Sequence, residues 1–359
     1  MSGIVRYDPT SVATLPTTRD ATLPPAYSDA LEARALAPLW TALHALLPHE
    51  RAVRPVPHLW RWSETRPLLL EAARLVDMDR AERRVLVLRN PGLAGAYAVT
   101  STLFAGLQII LPGETAPSHH HTPAALRLIV EGRGAYTTVE GVKCAMEPGD
   151  FIITPSMRWH DHGHEGPEPV VWLDGLDIPL VRAFDAAWVS RTQPAKAPQT
   201  ETDSSQDELT AAGLVPRTSR YADIGYPQVR WPWRAARRAL AALAETAPAS
   251  SPVVLRYVDP TTGRPPLATM GAECQWLRAG ERTAAWRRTA GAVFHVLEGE
   301  GESRIGDARL AWSPGDTFVA PPWHWVEHAN AARSAPACLF QFNDEPAVRA
   351  LGLWAEETR

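Results

Sequence analysis

An internal repeat constrains the fold of this chain more than any other feature of its sequence. The segment GETAPSHHHTPAALRLIVEGRG, at residues 113–134, aligns without a gap on GERTAAWRRTAGAVFHVLEGEG, at residues 280–301. A second pair, EPGDFIITPSMRWHDHG at residues 147–163 and SPGDTFVAPPWHWVEHA at residues 313–329, follows one residue out of step. Gly-Glu, Glu-Gly-x-Gly and Pro-Gly-Asp recur in the same order in both copies. The sequence therefore predicts two copies of one domain.

Gly and Pro residues divide the chain from residue 85 onward into short apolar runs. The chain has 33 Pro and 23 Gly, and short runs bounded by such residues are typical of β-sandwiches and β-barrels with tight turns. We predict strands at residues 85–88, 106–111, 126–130, 135–139, 151–153 and 170–173 of the first copy. The predicted fold class is mainly β.

The first ninety residues follow a helical pattern instead. Apolar residues recur at helical spacing directly after Pro38, at Leu39, Trp40, Leu43, Leu46 and Leu47. A proline in that position begins or kinks a helix, and Pro67 is expected to start a second helical run at residues 68–76. We predict a helical N-terminal arm that packs on a barrel.

These patterns divide the chain into five parts. Residues 193–213 are polar and contain too few apolar residues to fold by themselves, which marks a linker, and residues 231–245 after them are predicted to be helical. The predicted parts are a helical N-terminal arm at 1–90, a first barrel at 91–192, a linker and helix at 193–250, a second barrel at 251–345 and a C-terminal tail at 346–359.

Composition excludes several classes of partner. Lys and Arg number 36 against 40 Asp and Glu, a net charge of −4, so no basic field is available to hold nucleic acid. No run of about 18 apolar residues is present to span a membrane. Cys144, Cys274 and Cys338 are far apart and form no CxxC pattern, which fits a reducing compartment. We expect a cytoplasmic protein.

Three histidines of the first copy are candidate metal ligands. His119 and His121 are two residues apart, so on a strand both side chains share one face. His160 follows Pro-Gly-Asp and a short strand, where a neighbouring strand of the barrel could supply a third nitrogen. The aligned positions of the second copy carry no histidine: they are Trp286, Arg288 and Val326. Because the three are lost together, we predict a metal site in the first barrel and none in the second.

Other residues of the repeat are assigned structural roles. His295, His324 and His328 of the second copy lie outside the ligand positions, and we expect them to be packing or interface residues. Asp150 recurs as Asp316 in the copy without ligands, which identifies it as a turn residue.

The two histidine motifs resemble those of the cupin superfamily, G(x)5HxH at residues 113–121 and G(x)5P(x)4H at residues 149–160. A common cupin adds a carboxylate ligand shortly after the histidine pair, but Ala125 and Leu126 occupy that region here. The stretches HHHTPAALRLIVEGRGAYTTVEG, PGDFIITPSMRWHDHG and VWLDGLDIPL resemble the gentisate 1,2-dioxygenases, whose relatives cleave salicylate and 1-hydroxy-2-naphthoate. The resemblance covers nearly the whole chain and implies a bicupin, with two double-stranded β-helix (jelly-roll) barrels behind the helical N-terminal arm.

The resemblance also implies a cofactor, a reaction and a set of site residues. The family binds Fe(II) through three histidines, which correspond to His119, His121 and His160. Three neutral imidazoles leave the full double charge on the metal, and a small aromatic 2-hydroxy acid brings two anionic oxygens while a further position takes O2. The ring would open between the carboxyl- and hydroxyl-bearing carbons, giving maleylpyruvate from gentisate. The family further implies a homotetramer.

The pocket residues follow from the pattern and from the resemblance. Arg127 lies in the apolar run Leu-Arg-Leu-Ile-Val, so its guanidinium needs an anionic partner if it is buried. That partner is the substrate carboxylate or a structural salt bridge, and the aligned residue of the second copy is Phe294. The resemblance assigns Arg83 and Gln108 to substrate binding and His162 and Asp174 to catalysis. A carboxylate, Asp161 or Asp174, is expected to orient a ligand histidine. Phe104, Met157 and His164 are further candidates for the pocket lining.

Alternative functions remain open at this stage. The same chemistry on salicylate or 1-hydroxy-2-naphthoate uses the same residues. Three histidines with open positions also suit a zinc-dependent hydrolase or isomerase. A non-catalytic aromatic-binding cupin is the third class, against which the intact triad counts.

Overall fold

The computed structural model describes residues 19–191, 228–248 and 251–359. The predicted linker at 193–213 lies outside these residues. The chain divides into two compact units, Met1–Val53 and Arg54–Arg359. No helix among the described residues is long and apolar enough to cross a membrane.

The described part of the first unit is helical. It contains α1 (Pro25–Glu32), a 3-10 turn (Leu39–Thr41) and α2 (Leu43–Leu46). The 3-10 turn begins directly after Pro38, as predicted. Apolar side chains of this segment are largely exposed, among them Leu36, Leu39, Trp40 and Leu47.

The second unit contains both β-domains. Its helices are α3 (Trp62–Leu75), α4 (Met78–Ala81), α5 (Ile178–Ala183), α6 (Trp233–Thr246) and α7 (Glu345–Ala350). Its strands are β1 (His58–Trp60), β2 (Val85–Val87), β3 (Phe104–Ile110), β4 (Thr115–His121), β5 (Ala125–Glu131), β6 (Ala135–Val139), β7 (Val142–Ala145), β8 (Phe151–Thr154), β9 (His160–His164), β10 (Val170–Leu176), β11 (Val189–Ser190), β12 (Arg230–Trp231), β13 (Val253–Arg256), β14 (Gly271–Leu277), β15 (Trp286–Arg288), β16 (Ala292–Glu298), β17 (Gly301–Ile305), β18 (Ala308–Trp312), β19 (Thr317–Ala320), β20 (Val326–Asn330), β21 (Ala337–Asn343) and β22 (Glu356–Thr358).

Each copy of the repeat forms two antiparallel sheets. The first copy has the strand orders β12-β8-β5-β10-β3-β2 and β11-β4-β9-β6-β7, and the second has β1-β19-β16-β21-β14-β13 and β18-β17-β20-β15-β22. The register confirms the sequence repeat, because His119 pairs with His160 while Trp286 pairs with Val326. The mainly β bicupin fold is therefore confirmed, and the strands predicted in the first copy are all present.

The part of the second unit that precedes the first barrel contributes one strand to each barrel. Strand β1 joins the edge of a second-barrel sheet through β19, and β2 joins a first-barrel sheet through β3. The prediction that Pro67 starts a helix was wrong, since α3 begins at Trp62 and contains Pro67 within it. The helix starts earlier because the second barrel caps it: the backbone N–H of Trp62 donates to Asp316 at 2.7 Å.

The two Pro-Gly-Asp landmarks are equivalent helix caps. Asp316 accepts from Trp62 at the start of α3, and Asp150 accepts from the backbone N–H of Trp233, at 2.9 Å, at the start of α6. Each aspartate also closes its own turn, through the N–H of Glu147 or of Ser313, so the predicted turn role is confirmed. The second barrel thus caps α3, and the first barrel caps α6.

A second reciprocal pair joins the barrels. Asp177, before α5, accepts from the backbone of Ala124 in its own barrel and from the hydroxyl of Thr269 in the other. Asp344, before α7, accepts in the same way from Gly291 and Thr102. The largest hydrophobic core also runs through both barrels and includes Leu128, Phe151, Phe340 and Phe342. The two barrels therefore pack as one body.

Candidate metal centre

The three predicted ligands meet on two adjacent strands. His119 and His121 share one face of β4, and His160 begins β9, directly across the ladder from His119. One ring nitrogen from each lies within 4.8 Å of the others. The cluster contains these three histidines and no carboxylate, and it is the one such group found among the described residues.

Backbone carbonyls set the orientation of two of the three imidazoles. Nδ1 of His121 lies 2.7 Å from the carbonyl oxygen of Pro123, and Nδ1 of His160 lies 2.9 Å from that of Arg158. Each Nδ1 therefore carries the proton it donates, and Nε2 keeps its lone pair for a metal. The prediction that Asp161 or Asp174 orients a ligand was wrong, since carbonyls contact Nδ1 of His121 and His160, and a guanidinium contacts Nδ1 of His119.

The pKa values of the three histidines favour neutral rings. Burial is the first cause in each case, and the nearby arginines add to it. It lowers the pKa of His119 to about 3 and that of His121 to about 4, and it holds the pKa of His160 well below its usual value. Neutral imidazole is the form that binds a divalent metal. The three side chains therefore fit such an ion.

Arg83 reaches the centre from the end of α4. Its Nη2 donates to the carbonyl oxygen of Pro117 at 2.8 Å and lies 2.7 Å from Nδ1 of His119. The preceding residue, Glu82, adopts a positive φ of 53°, a conformation that costs a non-glycine residue energy and persists where the surroundings enforce it. This turn aims the guanidinium at the first ligand. Burial lowers the pKa of Arg83 to about 10, so it stays charged at neutral pH.

Arg127 is buried in the first barrel and faces Asp174 on the neighbouring strand. The two are register partners, and their Nε and Oδ1 atoms are 3.3 Å apart. Nη1 contacts the hydroxyl of Thr154, whereas Nη2 has no hydrogen bond to a described residue. The sequence left open whether Arg127 pairs with the substrate carboxylate or with a carboxylate of the protein. The structure shows the second, a salt bridge with Asp174, and leaves Nη2 available.

Asp174 and His162 are buried and incompletely bonded. Burial raises the pKa of Asp174 to about 6, against the opposing effect of Arg127. His162 lies on β9 with its ring 6.0 Å from that of His160, and its buried Nδ1 has no hydrogen-bond partner. Burial holds the pKa of His162 well below its usual value. Gln108, on β3, is also buried and makes no side-chain hydrogen bond to a described residue. Unpaired polar atoms of this kind indicate a ligand site.

The candidate lining residues occupy three different environments. Met157 is exposed, with a positive φ of 64°, and its N–H donates to the carbonyl oxygen of His121. His164 uses both ring nitrogens within the loop that follows it, towards Glu168 and the N–H of Gly166. The ring of Phe104 packs over Gly106 together with Val85, so closely that a Cβ at position 106 would lie 2.5 Å from Cγ1 of Val85 and 3.3 Å from the Phe104 ring. Met157 and Phe104 therefore remain candidates for the lining, whereas His164 holds a loop.

The second barrel fills the space that the site occupies in the first. Trp286 stands at the position of His119 and lies under the guanidinium of Arg288, 4.5 Å from ring centre to cation. The rings of Phe294 and Phe318 stack at 4.9 Å in the barrel interior. Strand β22 closes the edge, where Arg288 pairs with Glu356. No ligand cluster occurs among the described residues of this barrel.

Comparisons with known proteins agree with this geometry. Residues 106–176 match the Cupin domain family. The chain is 40% identical over 335 residues to a gentisate 1,2-dioxygenase of Ralstonia sp., covering 92% of this chain and 94% of that one. A gentisate 1,2-dioxygenase of Aquipseudomonas alcaligenes is 38% identical over 91% of this chain and 94% of its own. The chain belongs to the gentisate 1,2-dioxygenase family.

Members of this family are named for several aromatic 2-hydroxy acids. They include a 5-aminosalicylate 1,2-dioxygenase and a 1-hydroxy-2-naphthoate dioxygenase. The crystal structure of the salicylate 1,2-dioxygenase from Pseudaminobacter salicylatoxidans superimposes with a TM-score of 0.85 at 32% identity, over 95% of this chain and 99% of that one. The match extends over both barrels, so the bicupin architecture and the ring-cleaving dioxygenase class are shared.

Proposed function

We propose that this protein is an Fe(II)-dependent dioxygenase that opens gentisate between its carboxyl- and hydroxyl-bearing carbons, giving maleylpyruvate. The observation that carries the proposal is the cluster of His119, His121 and His160 with two arginines, Arg83 and Arg127, beside it. Ferrous iron held by the three histidines would supply open positions at which a 2-hydroxybenzoate and O2 meet. The identity of the relatives supports the same reaction class.

The excess of positive charge at the site favours an anionic substrate. The ligand set has no carboxylate, so a divalent ion keeps its full charge, and two arginines face one carboxylate, Asp174. A carboxylate and an ortho-phenolate on one ring neutralise this excess. The unpaired Nη2 of Arg127 can hold the substrate carboxylate in a charge-assisted hydrogen bond, and Arg83 approaches from the other side.

The remaining buried polar groups suit the ring hydroxyls. His162 is neutral and can accept the proton of the hydroxyl beside the carboxylate. Asp174 and Gln108 lie on neighbouring strands of one sheet, where they can accept from or donate to a distal hydroxyl. Gentisate has such a hydroxyl and salicylate lacks it, so these two residues favour gentisate.

The same chemistry on salicylate or 1-hydroxy-2-naphthoate is the second candidate. It is favoured by the close structural match to a salicylate 1,2-dioxygenase, although that enzyme has also been crystallised as an adduct with gentisate. Met157, a candidate for the lining, is exposed and can make way for substituents on the ring.

Oxygen uptake by metal-reconstituted protein tests the proposal. Chelator-treated protein receives Fe(II) in air, and uptake is recorded with gentisate, salicylate and 1-hydroxy-2-naphthoate while the ultraviolet band of the product is followed. We expect uptake with gentisate and the band of maleylpyruvate. Uptake with all three would establish the broader salicylate-type enzyme. Absence of uptake despite bound iron would overturn the dioxygenase assignment and favour a zinc enzyme or a binding module.

The organisation of the chain completes the proposal. We infer an arm at 1–90, a metal-binding barrel at 91–192, a linker and helix at 193–250, a barrel without metal at 251–345 and a tail at 346–359. A homotetramer is supported by the exposed apolar side chains of the first unit. A cytoplasmic location is supported by Cys144, Cys274 and Cys338, which are buried and form no disulfide in the part of the chain that the structure describes.

A further inference from the structure

A cavity of about 280 Å³ lies between the two barrels, away from the metal ligands. Each copy of the repeat contributes almost the same residues to its walls. The matching pairs are Trp62 and Trp233, Ile129 and Val296, Val130 and Leu297, Pro148 and Pro314, and Gly149 and Gly315. Pro314 is exposed, so solvent reaches the rim. Apolar cavities of about 150 Å³ already hold a benzene ring, so this one has room for a small aromatic molecule.

The ion pairs beside the cavity are internally satisfied. Arg66, one turn after Trp62, binds both carboxylate oxygens of Glu131 at 2.6 Å. Arg237, one turn after Trp233, does the same with Glu298 at 2.6 and 3.0 Å. Neither guanidinium belongs to the lining, which contains no Lys, Arg, Asp or Glu. A charged ligand would therefore lose its hydration without gaining a counter-ion.

His295 breaks the symmetry of the walls. It lines the cavity and is 2% exposed. Its Nδ1 lies 2.9 Å from the hydroxyl of its register partner Thr317, and its Nε2 has no hydrogen bond to any described residue. The first barrel has the apolar pair Leu128 and Phe151 at the equivalent register positions. A buried polar group is costly unless its atoms are bonded, and the first barrel forms the same fold with an apolar pair at these positions.

We propose that this cavity binds a small uncharged phenol, with its ring against the tryptophan, proline and aliphatic side chains of the lining and its hydroxyl hydrogen-bonded to Nε2 of His295. The Thr317 hydroxyl can donate to Nδ1 or accept from it, which leaves Nε2 as a donor or as an acceptor. A phenol hydroxyl serves in either case, whereas an alkylbenzene serves in neither. The site is separate from the metal centre, so the proposal goes beyond the ring-cleaving activity. Burial lowers the pKa of His295 to about 3, which keeps the ring neutral and excludes a salt bridge with a benzoate.

Fluorine NMR with 4-fluorophenol tests the site. His295→Leu installs the residue that the first barrel carries at position 128, so we expect it to fold, which thermal unfolding checks. His324→Leu is the matched control, because His324 is absent from the lining and bonds to the carbonyl oxygen of Pro322. We expect saturable binding to the wild-type protein, unchanged in the control and about tenfold weaker in His295→Leu, the loss of one hydrogen bond.

Two further measurements separate this site from the metal centre. Binding should persist in a His160→Ala variant, which lacks a metal ligand, and fluorobenzoate should not compete for it. Absence of saturable binding to the wild-type protein would mean that the cavity holds water only and would overturn the proposal. Equal affinities for wild type and His295→Leu would also overturn it, as would loss of binding in His160→Ala. None of these outcomes depends on whether gentisate is the substrate.

Discussion

Replacing Arg127 by Met, alone and together with a change of Asp174, distinguishes the contribution of this arginine to stability from its proposed contact with substrate. The side chain is fully buried, with Asp174 at 3.3 Å and the Thr154 hydroxyl as its partners. Its removal leaves the carboxyl of Asp174 buried without its counter-charge, which raises the pKa of that group beyond its present value of about 6. Breaking one side of a buried pair in this way costs about 3–5 kcal/mol.

The double variant Arg127→Met/Asp174→Leu removes both charges together. Replacing a whole buried pair by apolar side chains of similar volume is often close to neutral, and the second barrel shows that the fold accepts an uncharged pair here, Phe294 and Gln341. We therefore expect the double variant to recover most of the lost stability, to within about 1–2 kcal/mol of the wild type. It should not recover the binding of a 2-hydroxybenzoate.

Urea unfolding followed by circular dichroism gives the two free energies of unfolding, and anaerobic calorimetry with gentisate gives the affinities. Uncharged catechol is the control ligand, because its binding should change far less than that of gentisate. A single variant as stable as the wild type would refute the reasoning about the buried pair. Gentisate binding by the double variant with wild-type affinity, or equal losses for gentisate and catechol, would refute the carboxylate contact.

Other predictions concern the metal, the interface between the barrels and the helix caps. His160→Ala should lose metal, measured by elemental analysis, whereas Trp286→Ala should lower the melting temperature and keep the metal stoichiometry; metal in the second barrel would contradict this. Burial raises the pKa of Asp344 to about 6 from 3.8, so its contribution to stability is present below about pH 4 and lost as pH rises through 6. Asp344→Asn, which can keep both hydrogen bonds, should therefore gain about 2–3 kcal/mol relative to the wild type between pH 4 and pH 7 in urea unfolding; parallel pH profiles would show that the carboxyl does not titrate there. Asp316→Ala should cost about 1–2 kcal/mol through loss of a cap, and Asp150→Ala about 3 kcal/mol because that residue also pairs with a buried arginine; equal losses in thermal unfolding would count against the difference.

Much of the fold could be predicted because its signals are local and repeated. Strands bounded by Gly and Pro were predicted at their observed positions, and the alignment of the two copies predicted which positions of the two barrels are equivalent. The alternation of side chains on a strand places His119 and His121 on one face from their spacing alone. The failure at Pro67 has the opposite cause: the cap of α3 is Asp316, a residue 254 positions away in the chain.

The sequence by itself determined the two barrels and the three histidines that cluster in the first of them, since each of these follows from spacing or from the comparison of one copy with the other. Only the tertiary structure decided what the pocket residues contact. The pairing of Arg127 with Asp174 depends on the register of β5 and β10, and the histidine orientations depend on backbone carbonyls, which have no sequence signature. The capping of α6 by Asp150 and the cavity beside His295 also arise where segments distant in the chain pack together. Spacing along a chain fixes which side of an element a residue occupies, whereas its partner across the fold is fixed by packing.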